Sequence, residues 1–114
     1  MDRKTRRELA AEVHAERERL LPLRAKATRT TIALVRQNTE QPPELVPYLN
    51  LAFLIGVRRT QGPDAVLAFA LSLANWAVAT VDEVARYTGR TAEQVVDQYE
   101  TDIMAAHAAD PDDH

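Results

Sequence analysis

Apolar side chains along this chain recur at spacings of three, four and seven residues. They nowhere alternate strictly with polar ones between turn residues, so the pattern predicts helices and no strands. In the first segment, which runs to about Gln37, Val13, Leu20, Ala27 and Leu34 fall every seven residues, with Leu9 and Leu23 close to the same stripe. Arg and Glu fill the opposite face, as on a helix with one side turned to a core. Thr5 and Glu8 have the spacing of a capping box, which would open this helix. Pro22 lacks an amide hydrogen and crowds the preceding turn, so a kink or break is expected there.

Residues 38–43, ending in Pro42–Pro43, read as a loop. The next helix is expected to settle by Pro47, where a missing first-turn N–H costs nothing. It runs to about Arg59 and is apolar nearly all round, so it needs cover on every side. Gly62 is placed to end it and Pro63 to begin another, expected over 64–79 and equally apolar through Val66, Leu67, Phe69, Leu71, Leu73, Trp76 and Val78. Thr80 with Glu83, and Thr91 with Gln94, repeat the capping-box pattern. They predict a short helix restarting at Val81 and a last helix from Ala92 to about Ala108. Gly89 stands between them as a left-handed terminator.

The fold expected is therefore all-α, a small bundle of four to six helices around a central apolar helical hairpin at 47–79. It divides into a basic amphipathic segment (1–37), a helical core (38–109) and an acidic tail (110–114) expected to fray, within a single domain overall. The thin cover available to the hairpin points to self-association, a homodimer first. Leu49, Phe53, Leu54, Val57, Phe69 and Trp76 are the expected core or dimer interface. Asn50 and Asn75 are expected to pair across the hairpin while Trp76 fills the core.

Charge changes this picture at one point. The net charge of −3 conceals ten Lys/Arg against five Asp/Glu in residues 1–36, and four against twelve in residues 37–114. Such polarity suits either self-complementarity or a nucleic-acid-binding arm. The chain has no cysteine, which excludes disulfides, thiolate metal sites and a cysteine nucleophile. The start MDRKTRREL has no apolar run behind it, and the longest apolar stretch taken from the pattern, Leu49 to Val57, falls far short of the roughly 20 residues that span a bilayer. A cytoplasmic protein with no membrane partner is expected, and the Ala- and Arg-rich composition suits a GC-rich bacterial or phage genome.

Candidate chemistry is sparse. His14 stands one helical turn from Glu18, as in a surface pair. His107, Asp110, Asp112, Asp113 and His114 have no fixed ligand geometry. The three glycines form no phosphate loop. Ser72, the single serine, is expected to bond a carbonyl one turn back. Asp82 and Glu83 fit the first turn of a helix. No catalytic, cofactor or metal residue is assigned, and no enzyme is expected.

One constellation stands out. In the stretch Val84–Val95, Ala85 is small enough for a close helix crossing, Gly89 follows four residues later, Thr91 caps the next helix and Val95 packs back. This resembles a helix-turn-helix. Ala92, Glu93, Gln94, Asp97 and Gln98 would face a duplex, and the two acids oppose phosphate. The reading is thus a non-enzymatic interaction or assembly protein, a helical homodimer open to a further protein partner. The alternative is a small DNA-binding regulator using a corner at residues 81–99. Arg3, Lys4, Arg6 and Arg7 of the basic arm, with Arg86 and Arg90, would be its nucleic-acid contacts.

Overall fold

The computed structural model describes residues 1–109; the acidic tail at 110–114 lies outside the described residues. The protein is a small all-α bundle. Its elements among those residues are α1 (Arg3–Leu20), a 3₁₀ turn (Leu21–Leu23), α2 (Arg24–Glu40), α3 (Val46–Gln61), α4 (Pro63–Thr88) and α5 (Ala92–Ala109), with no strand. Among the described residues, backbone contacts group residues 1–73 into one compact unit and residues 74–109 into a second, with α4 contributing to both.

Prolines and glycines set most boundaries in the first unit. Pro22 ends α1 and forces the tight turn before α2, the break its missing donor requires. Pro47 sits in the first turn of α3, and Pro63 begins α4. Gly62 separates these helices at φ 91°, a conformation that side chains with a Cβ avoid. The start of α1 differs from the capping box expected of Thr5 and Glu8. The cap is Asp2, whose carboxylate accepts the Thr5 amide at 2.7 Å, so the helix opens earlier. Thr5 is therefore a third-position donor, and the stronger acceptor three residues before it takes the cap.

The core of the first unit gathers Leu20, Leu23, Ala27 and Ala68, with Leu34, Val57 and Phe69 also buried. The sevenfold stripe is thus real from Leu20 onward, but Leu9 and Val13 at its start remain 47% and 58% exposed. Thr31 is 1% exposed on the same face of α2. Its Oγ1 lies 3.0 Å from both the Ala27 carbonyl and Ser72 Oγ. One hydroxyl proton cannot serve both, so Ser72 donates to Thr31 while Thr31 donates to Ala27. Ser72 therefore joins α4 to α2 instead of bonding its own helix, as the sequence had suggested. Arg19 adds a second tie by pairing with Glu16 and with Asp64 in the first turn of α4. Those carboxylates hold its guanidinium firmly charged.

In the second unit α4 continues without the break expected at Thr80. The Thr80 hydroxyl donates to the Trp76 carbonyl at 2.9 Å, the back-bond available to threonine inside a helix. Asp82 and Glu83 consequently stand near the C-terminal end of α4, not in a first turn, and Glu83 pairs with Arg86 at 2.5 Å. The uninterrupted α4 has 26 residues, about 39 Å at 1.5 Å per residue. No charged residue occurs from Ala65 to Val81, a longer uncharged run than Leu49 to Val57. By length and composition alone α4 could cross a bilayer. Its first half buries Ala68 and Phe69, and Ser72 bonds Thr31 of α2, the helix that bears Lys26 and Arg29. Only 17% of that apolar span is buried.

Candidate interaction surfaces

The corner between α4 and α5 forms as its residues require. Gly89 adopts φ 69°, and the Arg90 amide bonds back to the Ala85 carbonyl at 3.1 Å, closing the end of α4. Thr91 and Gln94 then cap α5 reciprocally: the Thr91 amide donates to Gln94 Oε1 at 2.9 Å and the Gln94 amide to Thr91 Oγ1 at 3.1 Å. Ala85 and Val95 are buried at the vertex, and Val81, Val84 and Ala92 are half-buried beside them.

Burial stops there. Along α5, Val96, Tyr99 and Ile103 are spaced i, i+3 and i+7 and so share one face, yet they are between 46% and 53% exposed. Met104 is exposed beside them, and on α4 so are Trp76 and Val78. The two helices meet at an apolar vertex and carry their apolar faces onward uncovered. Acids line this surface: Glu93 and Glu100, seven residues apart, share one flank of the α5 stripe, with Asp97 nearby.

The residues expected at an interface separate in the first unit. Val57 and Phe69 are core, while Leu49, Phe53 and Leu54 are half-buried along α3. Tyr48 and Leu51 leave a side of α3 open that the all-round apolar pattern had predicted to be covered. Trp76 does not fill a core, and Asn75 stands in solvent. The Asn50 carbonyl oxygen is buried without a hydrogen-bond partner, as is that of Asn38.

Arg3, Arg6, Arg7 and Ala10 recur one turn apart on α1 and line a shallow concavity. Lys4 is exposed on the same helix. Arg86 and Arg90 are engaged locally. Arg86 pairs with Glu83 and lies 5.0 Å from the Tyr87 ring centroid, and Arg90 Nε donates to Thr88 at 3.2 Å. The outward positions early in α5 are Glu93, Gln94, Asp97 and Gln98, of which Gln94 is committed to the cap and Gln98 donates to Asp102 at 3.0 Å. Among the described residues no three metal-ligating side chains gather. No family model, curated protein or solved structure matches this chain.

Proposed function

We propose that this protein works by association, as a non-enzymatic interaction or assembly module that forms a homodimer. The observation carrying this reading is the uncovered apolar face of α5, Val96–Tyr99–Ile103, which continues the packed vertex of the α4–α5 corner. Exposed apolar faces of helical length, rimmed by charge, mark interaction sites. The open sides of Leu9–Val13 on α1 and Tyr48–Leu51 on α3 support it further. Replacing Ile103 with Asp tests the reading. The site is half exposed, so the folded monomer should tolerate the charge, whereas an interface burying it would lose several kcal/mol. Size-exclusion chromatography with light scattering should show a dimer for the parent and a monomer of unchanged helicity for the variant. Equal masses for the two would refute a role for this face.

A second reading, a small DNA-binding regulator, is favoured by one observation: the corner at Gly89 has the capped turn and buried small-residue vertex of a helix-turn-helix. Glu93 and Asp97 at its outward face weigh against it, as does the pairing of Arg86 with Glu83. A mobility shift on duplex DNA that weakens with salt and vanishes on reversing Arg3, Lys4, Arg6 and Arg7 would establish it.

A further inference from the structure

The self-association proposed above leaves open which surfaces meet, and charge decides between the alternatives. From residue 74 onward the chain carries nine Asp/Glu against two Arg. Pairing α5 with α5 of a second copy would bring the acidic flanks of two such stripes together, which like-charge repulsion opposes. A second uncovered apolar stripe lies on α1, with the basic cluster Arg3, Lys4, Arg6 and Arg7 at its N-terminal end and Glu12 and Glu16 beside its C-terminal end. Leu9 and Val13, one turn apart, are 47% and 58% exposed, and Arg6 stands beside Leu9 with Arg3 and Arg7 on the adjoining face.

We propose that the acidic, apolar face of α5 receives the basic helix α1 of a second copy. Leu9 and Val13 would lie along Val96, Tyr99 and Ile103, with Arg3, Arg6 and Arg7 opposite Glu93, Asp97 and Glu100. The occupant is an amphipathic helix docking its apolar stripe on a complementary surface. Its register is set by charges at the rim, as in paired helices where flanking charges choose the partner. Each copy carries one α1 and one α5 face, so a two-fold arrangement makes the contact twice and closes without free ends. This doubles the area buried, toward the roughly 800 Å² per partner of a stable interface. The association has an electrostatic component and should weaken with added salt.

This inference rests on the homodimer reading, and a charge-swap experiment separates the two. Variant one carries Arg3→Glu, Arg6→Glu and Arg7→Glu; variant two carries Glu93→Lys, Asp97→Lys and Glu100→Lys. All six positions are exposed, and circular dichroism checks that each variant stays helical. In sedimentation velocity the parent should dimerise, and each variant alone should dissociate at least about tenfold more readily, since each sets like charges against each other at both contacts. Mixed in equal amounts, the variants should recover a dimer containing one of each. If the parent dimerises and both variants dimerise as well as it does, the docking of α1 on α5 is refuted and the dimer itself stands. The docking is refuted also if the single variants dissociate but the mixture does not recover. A parent that stays monomeric, including one that binds anionic vesicles through its basic helix, overturns both the docking and the reading beneath it.

Discussion

Two glycines of this chain should respond to the same substitution with opposite signs. Gly56 lies within α3 in open surroundings, where an added Cβ would meet nothing within 4 Å. Alanine there keeps the helical conformation and loses less backbone freedom on folding, which stabilises by about 1 kcal/mol. Gly89 is equally open, with nothing within 4 Å of where a Cβ would stand, but its φ is 69°. The steric surroundings of the two sites are therefore alike, and only the backbone conformation differs. A Cβ in the left-handed region meets its own carbonyl, so Gly89→Ala should destabilise by roughly 1–2 kcal/mol. For a chain of this length each kcal/mol moves the melting temperature by about 4 °C. Urea unfolding followed by circular dichroism should give midpoints on either side of the parent, with unchanged slopes. A neutral Gly89→Ala would mean that the end of α4 does not depend on the left-handed turn. A destabilising Gly56→Ala would mean that another backbone approaches α3 closely there, as in a dimer built on α3.

Further substitutions probe other parts of the account. Val95→Ala removes two methyl groups from the most buried apolar side chain of the corner; it should cost about 2 kcal/mol including the cavity, read as lost amide protection along the start of α5. Asn50→Leu removes a buried oxygen that has no partner, so it should raise stability by about 1 kcal/mol; a drop of that size would show that the oxygen has a partner in solution. Asp2 is held below its ordinary carboxylate range chiefly by the Thr5 amide. Because its folded value is depressed, its contribution is present above the unfolded value, near pH 4, and is lost as pH falls through the folded one. The first turn of α1 should fray in that acid window, and Asp2→Asn should remove the pH dependence while keeping the cap.

Where a boundary depends on one residue's covalent nature, the sequence was a good guide. Pro22 breaks the first segment because it has no donor, and Gly89 turns the corner because it has no Cβ. The Thr91–Gln94 box formed because Gly89 had already ended α4 and freed the next helix to begin. The same pattern at Thr80 misled because nothing there ends a helix; without a glycine or proline, threonine simply bonds back to Trp76. That error also cut α4 in two and hid its uncharged run. At the N-terminus two overlapping signals competed, and Asp2 prevailed over Thr5. The bond between Thr31 and Ser72 was beyond local reading because it joins distant parts of the chain. The same holds for cover. A heptad stripe looks alike whether its face is packed, as at Leu20, or open, as at Leu9 and Val13.

The central claim is that these open apolar faces are closed by a second copy of the chain. Sedimentation equilibrium of the unmodified protein across micromolar concentrations tests it most directly. The account predicts a reversible rise in mass from 12.7 kDa to twice that value and no further, since a two-fold contact closes on itself. A single species at the chain mass throughout that range would contradict it.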